Sequence, residues 1–311
     1  MTLLFQDSSK TLTVKVNTNT IGQGADSGTT VTATLATDTT ADDQFEARGV
    51  TSNTVLDDDD MTQTSARAMV LRKTSMTITE NNLPSSVISN GNEQEVYNFT
   101  VTADASENVS LKQLIFNTVI TDNVGTNDTL TAGTFKIFRS STNLTGNVDI
   151  HNLAGATIES TNTLGEGTSQ AIITWASEEI IAAGTSNTYS IRATLSGYST
   201  PADDDTFRML LNTDATAQTA GYNYLVDLDT TAAQQTAALG DATATTIDGT
   251  EGATPTLSAF GNVIWSDNSG VPHDYDLVDS SLAGTDSTSG ADWINGYLIK
   301  NFPFSGRTMN N

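Results

Sequence analysis

Residues 202–217 read ADDDTFRMLLNTDATA, an acidic run followed by a segment in which Phe207, Met209 and Leu211 fall at alternate positions. Alternation with a period of two places every second side chain on one face, the mark of a half-buried strand. Residues 25–41, ADSGTTVTATLATDTTA, repeat the plan, with Val31, Ala33 and Leu35 alternating with Thr and a closing TD(T/A)TA. Upstream of each copy lies a second match at nearly the same offset, TLTVKV from residue 11 and TYSIRA from residue 188. Two strands and their loop recur, at a spacing far longer than the ~20–50 residues of a solenoid repeat, so the pattern predicts tandem domains.

The same alternation runs through Leu12, Val14 and Val16, through Tyr97, Phe99 and Val101, and through Tyr189, Ile191, Ala193 and Leu195. LKQLIFNTVI (111–120) and AIITW (171–175) are more continuously apolar, as central strands covered on both faces are expected to be. Short strands, turn-rich connections and no long helical periodicity predict an all-β chain of tandem immunoglobulin-like antiparallel β-sandwich domains. Only TTAAQQTAALG (230–240) suggests a helical turn.

The expected division is a partial or small β-sandwich module over 1–73, an immunoglobulin-like module over 74–266, and a C-terminal extension over 267–311. The two copies of the repeat are placed unequally. The second follows a long stretch, from Thr74 to Asn187, that can complete a sandwich, whereas the first follows only residues 1–10. Three outcomes are open: a fragment of a longer repetitive protein, a smaller complete sheet, or strands supplied by another subunit through β-augmentation.

The chain has 311 residues, enough for two domains with separate cores. Lys and Arg number 13 against 37 acids, a formal net charge of −24. That charge repels phosphate backbones and anionic membrane surfaces, arguing against nucleic acid as a partner, and it attracts cations, of which calcium is the natural candidate. There is no cysteine, so neither disulfides nor thiolate metal sites contribute. No apolar run approaches the ~18 residues of a transmembrane segment, and Met1–Phe5 is too short for a signal-peptide core, so a secreted protein would be met here in mature or truncated form.

Four acid clusters fall between strand patterns: Asp57, Asp58, Asp59 and Asp60; Asp203, Asp204 and Asp205; Asp227 with Asp229; and Asp274, Asp276 and Asp279. Loop carboxylates with backbone carbonyls can supply the roughly six to eight oxygens of a calcium site, and the first two clusters are the candidate ligand sets. None has EF-hand spacing, and a solvated acidic turn closed by an Asx-turn accounts for any one of them more readily than a metal site does. The first repeat copy carries ADSG where the second carries ADDD, so the acid run belongs to one copy alone.

Catalysis finds little to build on. His151 and His273 are far apart in polar, turn-like contexts, PHDYD around His273 is the one catalytic-looking cluster, and no GxSxG, HExxH, Walker or GxGxxG pattern accompanies it. Trp175 reads as core, and Trp265 and Trp293 as packing or interface residues in preference to sugar-stacking platforms. Asn98, Asn108, Asn127 and Asn143 head N-glycosylation sequons, no more than this Ser-, Thr- and Asn-rich composition produces by chance. The tail with Trp293, Tyr297, Leu298, Ile299, Phe302 and Phe304 in polar surroundings is the candidate assembly or docking segment, its apolar residues requiring a partner within the chain or outside it.

GVTSNTVL (49–56), MVLRKTSMTI (69–78), EVYNFTVTADASENVSLKQLIF (95–116), NVIWSDNS (262–269) and ADWINGYLIKNFP (291–303) give the chain a resemblance to large secreted repeat proteins of candidate-phyla (patescibacterial) bacteria, over most of residues 49–303. The resemblance implies immunoglobulin-like domains on a cell surface, of surface-layer or surface-filament type, and it brings no catalytic residue. The expected function is therefore structural and non-enzymatic: an extracellular building block that assembles with copies of itself, with calcium bridging acidic loops. The alternatives are an adhesin or carbohydrate-binding module meeting a cell-envelope glycan, and a secreted hydrolase using PHDYD.

Overall fold

A computed structural model describes residues 13, 15–21, 23–35, 46–57, 64–66, 68–122, 129–153, 156–197, 204–214, 261–269 and 293–311. The described chain is all-β, with nineteen strands and a single 3-10 turn at Thr145–Asn147. It divides into two compact units, Met1–Arg72 and Lys73–Asn311.

The first unit holds six short strands: β1 (Thr30–Val31), β2 (Thr34–Leu35), β3 (Glu46–Arg48), β4 (Val55–Asp57), β5 (Thr64–Ser65) and β6 (Met69–Val70). They form three two-stranded antiparallel sheets, β1 with β6, β2 with β5 and β3 with β4. The strand expected over 11–17 is not formed where it can be seen: Thr13 and Lys15–Asn17 lie outside any strand, and Val16 is exposed. The strand expected from Val31 onward is split at Thr32–Ala33 into β1 and β2. Both departures go with low burial: Val16 is exposed and Val31 and Ala33 are only half-buried, so these residues gain little of the burial that rewards long strands.

The second unit begins with β7 (Met76–Glu80), β8 (Asn92–Ala103), β9 (Val109–Thr121), β10 (Thr131–Arg139), β11 (Thr142–Asn143), β12 (Val148–His151) and β13 (Thr163–Leu164). It continues with β14 (Gly167–Ile181), β15 (Ser186–Ser196), β16 (Thr206–Leu211), β17 (Val263–Ser266), β18 (Trp293–Asn295) and β19 (Arg307–Asn310). One sheet runs β11-β10-β15-β8-β7 with β13 beside β10, and the other runs β12-β14-β9-β16-β19 with β17 beside β9 and β18 beside β17. Every strand pairing is antiparallel.

The two sheets pack face to face as a sandwich. Tyr97, Phe99 and Val101 of β8 and Tyr189, Ile191 and Leu195 of β15 point inward from one sheet, and Leu114, Phe116, Ile173 and Phe207 meet them from the other. Tyr97 sits edge-on to Phe116 across the interface with ring centroids 5.3 Å apart, while Phe99 stacks on Tyr189 at 5.2 Å within its own sheet. Such pairs add about 1 kcal/mol each beyond the burial of their area. β9 and β14 are the inner strands their continuous apolarity predicts. Ile115 and Ile172 are as fully buried as Phe116 and Ile173, although they alternate to the opposite face of the sheet.

The segment 267–311, read from sequence as a separate extension, is part of the second unit. β18 pairs with β17, and β19 pairs with β16 along Thr206–Met209. Met309 is buried in the common core opposite Phe207, because β19 pairs along the edge of β16 that β9 does not occupy. Residues 230–240, where a helical turn is expected, lie outside the described residues.

Strand register exposes a part of the repeat that sequence alone left unnoticed. Thr30 faces Val70 and Val31 faces Met69; in the second unit Thr206 faces Asn310 and Phe207 faces Met309. Val31 and Phe207 are equivalent in the repeat, so Met69 and Met309 hold equivalent places. SARAM at 65–69 and SGRTM at 305–309 are then a third matched stretch.

Candidate functional site

One residue of the acid clusters, Asp205, forms a clasp between strands. Asp205 is buried, with 1% exposure, at the entry to β16. Its backbone N–H donates to Asn311 Oδ1 at 3.0 Å, its carbonyl accepts the Asn311 N–H at 3.2 Å, and its Oδ2 accepts Asn311 Nδ2 at 3.3 Å. This carboxylate ties the start of β16 to the end of β19. Asp204 beside it is exposed with a left-handed backbone (φ 53°), a conformation that Asp tolerates at turns. Asp203, Asp58, Asp59 and Asp60 lie outside the described residues, as do Asp227, Asp229, Asp274, Asp276, Asp279 and His273. Asp57 closes β4 opposite Glu46. Among the described residues no group of three His, Cys, Asp or Glu side chains converges as a metal site would require.

A carboxylate outside those clusters is also heavily bonded. Asp214, in the TDATA that closes the second copy, accepts Asn262 N at 2.8 Å and Asn262 Nδ2 at 3.0 Å on Oδ1. On Oδ2 it accepts Val263 N at 3.3 Å and Gly296 N at 2.7 Å. It sits where β9 changes partner from β16 to β17. At that seam Ile115 donates to Asn262 O at 2.7 Å and accepts from Asn212 N at 3.2 Å. A side chain at 296 would bring a Cβ to 2.9 Å from Asp214 Oδ2 and 3.0 Å from Val263 Cβ, so the position calls for glycine.

A second clasp holds the first residues of the unit. Asp267, fully buried, accepts Lys73 N at 2.9 Å and Ser269 Oγ at 2.6 Å. Lys73 Nζ reaches Asn268 O at 2.7 Å and Glu107 Oε2 at 3.1 Å. The Asn108 backbone N–H and then Lys73 hold the Glu107 carboxyl below its usual range. The WSDNS motif thus anchors the strand-opening KTSM segment.

Two tyrosine–glutamate–arginine triads cross between the sheets. Tyr97 Oη donates to Glu80 Oε1 at 2.9 Å, and Arg307 of the opposite sheet approaches Glu80 Oε2 at 3.5 Å. Tyr189 Oη donates to Glu179 Oε1 at 2.8 Å, and Arg139 Nη1 donates to the same oxygen at 2.6 Å, with Glu179 coming from the other sheet. Burial, followed by the adjacent carboxylate, drives both phenols well above their ordinary range.

The apolar tail is occupied by its own fold. Ile299 is buried, Ile294, Phe302 and Phe304 pack against the core, and the rings of Phe302 and Phe304 lie 4.4 Å apart. Tyr297 is half-buried, with its N–H on Asn295 Oδ1 at 3.3 Å. Trp293 opens β18 opposite Ser266. Among Tyr297, Leu298, Ile299, Phe302 and Phe304 only Leu298 is exposed, so the partner this stretch requires is in large part the second unit itself. Trp265 and Trp175 are core residues, the former donating Nε1 to Asn295 O at 3.0 Å.

His151, expected in an exposed turn, is buried at the end of β12 and meets the Asn152 carbonyl through Nδ1 at 3.0 Å. The alternation of β12, with Val148 and Ile150 inward, is too short to have announced it. Among the sequons, Asn143 lies exposed in the β10–β11 hairpin and accepts Thr145 N at 2.9 Å. Asn98 is half-buried, its Nδ2 on Glu95 and its Oδ1 accepting from Asn81. Asn108 is half-buried and accepts Ala183 N. Asn127 lies outside the described residues.

No protein-family model matches the chain, and no curated protein matches it.

Proposed function

We propose that the chain is a structural, non-enzymatic building block of an extracellular surface layer or surface filament, built from tandem copies of one immunoglobulin-like module. The observation that supports this reading is the shared register of Val31–Met69 and Phe207–Met309, on which we read the first unit as the closing part of a module and the second unit as a fuller copy. A chain that strings such modules together has the organisation of an array-forming protein.

The polar groups support it from another side. The carboxylates of Asp205, Asp214 and Asp267 each join segments far apart in sequence, so they serve cohesion of the fold. Calcium enters this reading as a counter-ion for surfaces whose net charge of −24 opposes close packing of copies. Sedimentation velocity across a concentration series tests the proposal. Growth of species larger than the monomer, promoted by salt or calcium that screens the acidic surface, is the expected result, and a monomer at every concentration in every buffer refutes it.

A further inference from the structure

We infer that Asn90 is a covalent modification site, at which the Asn90–Gly91 turn deamidates through a cyclic imide to aspartate and isoaspartate. The chain has two Asn-Gly dipeptides, Asn90–Gly91 and Asn295–Gly296. Glycine has no Cβ, so its backbone nitrogen swings most easily onto the side-chain carbon of an asparagine before it. The fold gives the two pairs opposite surroundings.

Asn90 and Gly91 are the central residues of a turn closed by the Asn92 N–H on Ser89 O at 3.2 Å, and all four residues are exposed. Gly91 has φ 73°, as the third position of such a turn requires, and the space where its Cβ would stand is open. Asn90 Oδ1 accepts the Gly197 N–H at 3.1 Å, which polarises the side-chain carbonyl toward attack at its carbon. The Gly91 N–H donates to Leu195 O at 2.7 Å, so the turn parts from the end of β15 before its nitrogen attacks. Exposed turns open at a free energy well below that of global unfolding.

Asn295–Gly296 is held closed. Gly296 is buried, and its N–H donates to Asp214 Oδ2 at 2.7 Å, a carboxylate whose charge opposes loss of that proton. The Asn295 carbonyl accepts Trp265 Nε1 at 3.0 Å, and Asn295 Oδ1 accepts the Tyr297 N–H at 3.3 Å.

At Asn90 the Gly91 nitrogen gives its proton to solvent base and bonds to Asn90 Cγ, and the Cγ–Nδ2 bond breaks with release of ammonia. Water then opens the imide. Addition at Cγ leaves aspartate, and addition at the backbone carbonyl leaves isoaspartate. The sum is hydrolysis of one amide, with nothing oxidised or reduced, and a neutral side chain becomes a carboxylate. Isoaspartate routes the main chain through Cγ, which lengthens it next to the Asn92–Leu195 pair that ends the β8–β15 ladder.

The folded full chain is incubated at mildly alkaline pH, with each asparagine followed by peptide mapping and mass spectrometry and isoaspartate by enzymatic carboxyl methylation. Conversion at Asn90 at least about tenfold faster than at Asn295 is expected, with amide exchange at Gly91 and Gly197 accelerating as it proceeds. In denaturant the two rates should converge, since both sites are then plain Asn-Gly. Three results overturn the assignment: Asn90 intact in the folded chain while it converts in denaturant, so that the bond to Leu195 locks the turn; Asn295 converting as fast as Asn90 in the folded chain; or an undiminished yield of isoaspartate in Asn90→Gln, whose longer side chain closes the ring slowly.

Discussion

The Asp214 carboxylate accepts the Gly296 N–H at 2.7 Å, joining the end of β16 to the turn after β18 across 82 residues of sequence. The same carboxylate takes both N–H groups that open β17. It holds together the seam at which two strands succeed one another along a single edge of β9, where the sheet ladder itself offers no continuity.

Asp214→Asn is expected to destabilise the second unit by about 2 kcal/mol, since one amide oxygen replaces two charged acceptors and its NH2 faces backbone donors. Gly296→Ala should cost a comparable amount through the Cβ contacts with Asp214 and Val263. The double variant should lose less than the sum, because both changes break the same contact. Thermal unfolding of the three variants checks this, with about 2–4 °C lost per kcal/mol for a domain of this size.

Tyr97 and Tyr189 should be silent in an alkaline titration of the folded chain. Their folded-state pKa values lie above the ordinary value of 10, so their contribution to stability is fully present below pH 10 and is lost as pH rises beyond it. The unfolded chain releases protons there that the folded chain retains. Absorbance at 295 nm should therefore show Tyr97 and Tyr189 ionising only in the unfolding transition. Tyr189→Phe should remove one of them and cost about 1–2 kcal/mol at neutral pH.

Met309→Ala should cost about 2–4 kcal/mol by leaving a cavity between the sheets. Met69→Ala, at the equivalent position of the first unit, should change stability by less than about 0.5 kcal/mol, as exposed substitutions do. Deleting residues 305–311 should destabilise the second unit more than Met309→Ala alone, because it also removes the Asn311 partner of Asp205. Unchanged stability after that deletion would mean that β19 is an external docking strand after all.

In a host with N-glycosylation machinery, Asn143 should be modified ahead of Asn98 and Asn108. Its hairpin is exposed, while the Asn98 Nδ2 is engaged by Glu95 within the sheet. Peptide mapping by mass spectrometry should place the glycan on Asn143 and lose it in Asn143→Gln.

Much of the second unit was legible because burial follows alternation: Tyr97, Phe99 and Val101 read as an inward face and are one, and the unbroken apolar run at 111–116 marked an inner strand. The partner of the tail stays open in the sequence, within the chain or outside it, because hydrophobic content alone does not say whose core it fills. Only the β16 register shows that Met309 belongs opposite Phe207. The clasps were invisible for a related reason. Asp214 is one acid among many, and what distinguishes it is the convergence of three N–H groups from two distant segments, which no local pattern encodes. The signal that could have found β19 was present as SARAM and SGRTM, but a match five residues long gains meaning only once the strands it pairs with are known to be equivalent.

Electron microscopy of the concentrated protein, with calcium and with chelator, tests most directly the proposal that the chain self-assembles into a surface structure. Regular sheets or filaments in at least one of the two conditions are predicted, with calcium favouring them. Dispersed single particles in both conditions at high concentration would contradict it.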